Sequence, residues 1–142
     1  MDDVETGTFT PALEGSGDNF NPTYTHRSGQ YTKVGNIVHF DLRVASSSRT
    51  ENADQVYITG LPFTANYSDA GNGSNLLIIG NGLKSDFAEG VLYANATHNQ
   101  SRLTILMAGY NVGTGAGIDN FRQHDLYASH DLRVSGSYFT NS

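Results

Sequence analysis

The stretch Gln30 to Ala45, QYTKVGNIVHFDLRVA, most narrows what this chain can fold into. Two runs flank Gly35-Asn36, a pair that tolerates the positive φ of a two-residue hairpin. In the first run, Gln30 to Val34, Tyr31 and Lys33 alternate with Thr32 and Val34. In the second, Ile37 to Ala45, Val38, Phe40, Leu42 and Val44 point one way and His39, Asp41 and Arg43 the other. Strand side chains alternate between faces, so this is a hairpin with one apolar and one wet face. The second run exceeds the usual strand length of about five or six residues. It is long enough to cross a whole sheet of a small domain, and the other strands are expected to pack on it.

The remaining apolar segments are short and punctuated. Thr8 to Leu13 reads as a strand that Pro11 confines to an edge or an end, because proline lacks the N–H. Thr23 to Arg27 is a short strand before Ser28-Gly29. Gln55 to Thr59 is a strand with Val56 and Ile58 inward and Tyr57 outward. In Gly60-Leu61-Pro62-Phe63, Gly and Pro stop the ladder while Leu and Phe stay apolar, which predicts a corner plugging a hydrophobic end. Leu76 to Ile79 is a wholly apolar short strand, and Asn81-Gly82 a turn. Gly90 to Ala96 and Arg102 to Ala108 form a hairpin pair with Leu103, Ile105 and Met107 on one face. Gly109 to Asn120 reads as a flexible loop. Leu132 to Thr140 is a last strand with Leu132, Val134 and Tyr138 together.

That is about eight or nine strands at intervals near ten residues, with no convincing helical period. The expected fold is all-β: an antiparallel β-sandwich, jelly-roll-like. A chain of 142 residues suits one domain and buries enough surface to need no staple. Residues 8–142 are expected to form it, after an acidic N-terminal linker at 1–7. The net charge is −6 and the eight Lys and Arg are scattered, so there is no cationic face for nucleic acid. No apolar run reaches the 18 or so residues of a membrane span, and MDDVETG lacks the plan of a signal peptide. With no cysteine, thiol chemistry is excluded.

Four fragments occur in order: Glu5-Thr-Gly-Thr-Phe-Thr-Pro-Ala-Leu13, Gly29-Gln-Tyr-Thr-Lys-Val-Gly-Asn-Ile-Val38, Ile58-Thr-Gly-Leu-Pro-Phe-Thr-Ala65 and Leu132-Arg-Val-Ser-Gly-Ser-Tyr-Phe-Thr140. Together they resemble a domain common at the C-terminal end of bacteriophage tail fibres and tailspikes. Its members often read GTWTPxL, GxYxKxGNxV, IxGLPF and LxVSGxYF. Phe9 stands where the group often has Trp, and an aromatic is retained. Residues Tyr67 to His130 match no part of that pattern. The resemblance implies a homotrimeric, jelly-roll-like receptor-binding module of the virion, joined to a preceding fibre shaft. It implies viral attachment to a host cell-surface glycan or lipopolysaccharide. The alternatives are a structural trimerisation, capping or virion-decoration domain, and a surface-polysaccharide hydrolase.

The residues themselves give little support for catalysis, and no enzyme is expected. A serine nucleophile needs a base in reach and an elbow to expose it, and no GxSxG occurs. Asp86, Glu89, Asp119, Asp125 and Asp131 fit a glycosidase pair by residue type alone. The five histidines lack metal-ligand spacing, and Asp69 to Asn75 lacks the acidic set and closing Glu of a calcium loop, so neither metal nor cofactor is expected. His39 lies on the wet face of the longest strand, and around a threefold axis would meet its own copies. Sugar recognition combines aromatic rings under pyranose C–H faces with planar polar groups on hydroxyls. Tyr67 with Asp69, Asn72 and Asn75 fits that recipe, as does Tyr110-Asn111 with Asp119, Asn120, Phe121 and Arg122. Tyr67, Asp69, Asn72, Asn75, Tyr110, Asn111, Asp119, Asn120 and Arg122, in or beside the loops Ala65 to Asn75 and Gly109 to Phe121, are the candidate glycan contacts. Three linked copies would raise avidity about 10²–10⁴-fold without a new contact.

Overall fold

A computed structural model describes residues 4–17, 20–50, 55–66, 75–83, 90–112, 115–120 and 126–141. Side chains at 75, 77, 79–83, 90–93, 107–112, 115–120, 126 and 127 lie outside that description. The elements are all strands: β1 (Val4–Phe9), β2 (Ala12–Gly15), β3 (Thr23–Val34), β4 (Ile37–Ser48), β5 (Val56–Thr59), β6 (Asn75–Leu83), β7 (Gly90–Ala96), β8 (Arg102–Val112), β9 (Gly115–Asn120) and β10 (Leu126–Phe139). Every pairing is antiparallel, along the path β1-β3-β4-β10-β6-β7-β8-β5-β2, with β9 on β8. Strand β6 belongs to both layers: Asn75 to Leu77 pair with β7, while Ile78 to Leu83 pair with β10. One layer is thus β1, β3, β4 and β10, the other β7, β8, β5 and β2, and the fold is a β-sandwich.

The β3–β4 hairpin forms as its alternation requires. Val34 pairs with Ile37 across Gly35-Asn36, and Gly35 takes φ 59°. Val38, Phe40, Leu42 and Val44 are buried, and His39 and Asp41 are exposed. A single core joins those four to Leu132, Val134 and Tyr138 of β10, Leu13 of β2, Val56 and Ile58 of β5, and Leu103 and Ile105 of β8. Each fully buried aliphatic side chain contributes roughly 1.5–3 kcal/mol relative to exposure, which favours this one register over any slipped one. The predicted corner is present. Leu61 is buried and Phe63 packs on the core, while Tyr138 Oη donates to Phe63 O at 2.9 Å and accepts from Phe63 N at 3.3 Å. Gly60 sits at φ 89°, its Cα facing the Thr10 carbonyl so closely that a methyl there would come within 2.5 Å.

Five local expectations are corrected, one of them the break at Ser28-Gly29, which β3 runs straight through. Thr8 to Leu13 is not one strand: Thr10-Pro11 carries the chain from β1 in one layer to β2 in the other, where proline's missing donor costs no ladder bond. Val4 to Gly7, expected as linker, is strand and pairs with Val34 to Tyr31. Asn81-Gly82 lies within β6, opposite the irregular start of β10, where the bulged ladder accepts residues of poor β-propensity. Gly109 to Val112 and Gly115 to Asn120, expected as loop, are strand. β8 runs on to Val112, and β9 pairs back on it with Gly109 opposite Gly117. Glycine weakens a strand but does not prevent pairing when both ladder groups are satisfied.

Candidate binding face

Register on the β1-β3-β4-β10 layer aligns its side chains in rows. On the core side, Gly7, Tyr31, Phe40 and Gly136 form one row, and Phe9, Gly29, Leu42 and Val134 the next. Aromatics cross the neighbouring glycines. A methyl on Gly7 would meet the Tyr31 ring at 2.7 Å, and one on Gly29 the Phe9 ring at 2.5 Å. The fragments around Phe9 and Tyr31 are therefore reciprocal glycine–aromatic pairs across two strands. The rings continue into edge-to-face contacts: Phe9 with Phe40 at 6.4 Å, Phe40 with Tyr138 at 5.8 Å, and Tyr31 with Phe63 at 5.3 Å. Tyr31 Oη donates to Glu5 at 2.9 Å, and that hydrogen bond to a carboxylate holds the phenol above its usual pKa.

The opposite side of this layer faces outward. Thr6, Thr32, His39 and Ser137 make one row, Thr8, Gln30, Asp41 and Ser135 the next. Between them lies a shallow groove of about 530 Å³, lined by Thr6, Thr8, Gln30, Thr32, His39 and Asp41 together with the core-side row Gly7, Tyr31, Phe40 and Gly136. Gln30 Nε2 donates to Asp41 Oδ2 at 3.0 Å. One step further along, Arg43 grips Asp131 in a fork, with Nη2 to Oδ2 at 2.9 Å and Nε to both oxygens at 3.2 Å, and Arg133 approaches the same carboxylate at 3.5 Å. The Arg43 hydrogen bond holds Asp131 below the ordinary carboxylate pKa and raises the guanidinium's own.

The expected glycan contacts are only partly described. Tyr67, Asp69, Asn72 and Arg122 lie outside the described residues. Asn75 opens β6, opposite Asn95 of β7. Tyr110 and Asn111 fall where the β8–β9 ladder shifts register, and Asp119 and Asn120 pair opposite Met107 and Leu106. Backbone register thus keeps Asn75 apart from Asn120, with β7 and β8 between their strands. Of the acidic candidates, Asp86, Glu89 and Asp125 lie outside the described residues, and Asp131 is held in the Arg43 fork. Sequence reasoning singled out His39 on this face and missed Thr6, Thr8, Gln30, Thr32 and Asp41. The alternation of β4 marks Asp41 as wet, but only the register across β1, β3 and β4 gathers the others around it.

A second polar pair was also missed. Ser46 Oγ and His130 Nε2 lie 2.6 Å apart, both buried, and Phe20 meets the His130 ring edge-on at 5.9 Å. A Ser–His contact is the beginning of a nucleophile–base arrangement, yet this one is sealed from solvent by the core. Among the described residues, no group of three or more His, Cys, Asp or Glu is placed to hold a metal ion.

No family model matches the sequence, and no curated protein matches it. Among solved structures, the crystal structure of the Dettilon tailspike protein superposes with a TM-score of 0.72 at 18% sequence identity. The match covers 96% of this chain and 24% of that one. The β-sandwich built around the Gln30 to Ala45 hairpin is thus similar in fold to part of a phage tailspike protein.

Proposed function

We propose that this chain is a receptor-binding module of a phage tail fibre or tailspike, attaching the virion to a host cell-surface glycan or lipopolysaccharide. The observation that carries this reading is the fold likeness to a tailspike across 96% of the chain. The acidic, hydroxyl- and amide-rich surface supports it, because such groups form hydrogen bonds with sugar hydroxyls without competing for nucleic acid. In this reading the module is a non-enzymatic homotrimer that follows a fibre shaft, and Tyr67 and Tyr110 supply stacking rings.

The test is binding of the fluorescently labelled chain to a panel of bacterial strains. Binding should be confined to some strains, be abolished by periodate treatment of the cells, and survive protease treatment. Replacing Tyr67 or Tyr110 with Ala should weaken it while the molecular mass in solution stays that of a trimer. Binding to no strain would remove the adhesion reading and leave a capping or decorating role, and loss after protease alone would remove the glycan and make the receptor a surface protein.

A further inference from the structure

The outward face of the β1-β3-β4-β10 layer ends in a row unlike the others. Val4, Val34, Ile37 and Phe139 stand directly opposite one another on four successive strands. Alternation places them on the same side as His39 and Asp41. Val4 is 51% exposed and Phe139 46%, and these are the exposed large hydrophobics among the described residues. An apolar row across a whole sheet face, bordered by polar residues, is the pattern of a binding surface rather than of scattered exposure. Next to it comes the hydroxyl and imidazole row, then the Thr8, Gln30, Asp41 and Ser135 row, and last the Arg43–Asp131–Arg133 cluster.

The groove's chemistry selects among ligand classes. Asp41 repels anions. A lone carboxylate already bonded to Gln30 is a poor cation site. The two polar rows give an oily ligand no floor. What remains is a neutral ligand that is rich in hydroxyls and has one apolar side. The Gln30–Asp41 bond holds an amide and a carboxylate together, leaving Gln30 Oε1 and Asp41 Oδ1 as adjoining acceptors for neighbouring hydroxyls. Thr6, Thr8 and Thr32 offer groups that donate or accept. The apolar row lies four residues along the strands from the Asp41 row, roughly 13 Å away. One sugar ring cannot reach both.

We propose that this face is a glycan subsite for at least two linked rings, with Asp41 and Gln30 taking adjacent hydroxyls of one ring and the Val4–Val34–Ile37–Phe139 row taking the C–H face of the next. The subsite rests on the adhesion reading and adds a place for the ligand on the sheet besides the proposed contacts at Tyr67 and Tyr110. The other occupant an apolar row could take is a second copy of the chain, and the experiment separates the two.

Wild type, Asp41→Asn and Phe139→Ser are applied to an array of bacterial capsule and O-antigen oligosaccharides of two or more rings, and their masses in solution are measured. Amide chemical shifts are followed as the best array oligosaccharide is added to the wild type. The expected result is a loss of affinity of about 10- to 100-fold for each variant, from a lost charge-assisted bond in one and lost apolar contact in the other, at unchanged mass. Shift changes should concentrate at 4–8, 30–41 and 135–139. Equal binding by all three proteins, or shifts confined to 110–120, would overturn the subsite and leave the adhesion reading standing. A lower mass for Phe139→Ser would make the row a subunit seam and overturn it also. No array binding by the wild type would remove the subsite and the glycan reading together.

Discussion

Tyr138→Phe isolates what ties the Gly60 to Phe63 corner to the rest of the molecule. Tyr138 is 1% exposed, and its hydroxyl takes both the N–H and the C=O of Phe63. Phenylalanine keeps the ring, and with it the edge-to-face contact to Phe40 at 5.8 Å, so no cavity larger than one oxygen opens. The loss is therefore two hydrogen bonds, each contributing about 0.5–1.5 kcal/mol net, or about 1–3 kcal/mol together. For a chain of this size, with about 2–4 °C per kcal/mol, the unfolding midpoint should fall by roughly 2–12 °C. Thermal and urea denaturation at one fixed protein concentration measure it, since association would shift the midpoint by mass action. Tyr57→Phe serves as the control. Among the described residues its hydroxyl bonds to the Gln55 side chain, at 3.2 Å, and it should cost a few tenths of a kcal/mol. If Tyr138→Phe proved no more destabilising than that control, the corner would be held by Leu61 and Phe63 packing alone, and the argument from the hydroxyl would fail.

Gly29→Ala should destabilise by about 1–3 kcal/mol, because the added methyl meets the Phe9 ring at 2.5 Å on a packed face. Pairing it with Phe9→Ala should recover part of that loss in a double-mutant cycle, and purely additive costs would refute the glycine–aromatic pairing. Acid stability provides a third test. Asp131 is held below its usual pKa of 3.8 by the Arg43 hydrogen bond, so its contribution is fully present above that value. It fades as pH falls through the lowered folded-state value. The stability difference between wild type and Asp131→Asn should therefore be largest near neutral pH and shrink below about pH 4. Denaturant titrations across that range check it, and a difference independent of pH would show that the carboxylate's charge is not what Arg43 holds.

The hairpin, the core faces of β4, β5, β8 and β10, and the corner were legible because each depends on a local rule. Alternation sorts Val38, Phe40, Leu42 and Val44 from their neighbours. A Gly-Asn pair sets a two-residue turn, and Gly-Leu-Pro-Phe stops a ladder while keeping apolar weight. Where the reading failed, composition spoke against strand and the partner spoke for it. Gly115 to Asn120 has little β-propensity of its own, and the β8 ladder supplies the bonds. Val4 to Thr6 are exposed, and β3 pairs with Val4 to Gly7. Ser28-Gly29 reads as a break, yet the chain runs straight through it because Phe9 covers the glycine.

The same distinction governs the candidate binding face. A loop with Tyr, Asp and Asn in close succession is visible as a sugar-binding recipe, since its members are neighbours in the chain. The groove on the sheet is assembled from Thr6 and Thr8, then Gln30 and Thr32, then His39 and Asp41, three dipeptide-spaced pairs from three strands. Nothing in any one strand sets these pairs apart from an ordinary solvated face. Their chemistry emerges from register alone. The two-residue turn at Gly35-Asn36 fixes Val34 against Ile37, which places Thr32 against His39 and Gln30 against Asp41. A one-residue slip would send the whole set to the core and bring Tyr31 and Phe40 into water. The apolar core of this layer therefore holds the polar groove in place, and substitutions at buried Phe40 or Val38 that shift β4 should disturb the proposed ligand contacts without touching them.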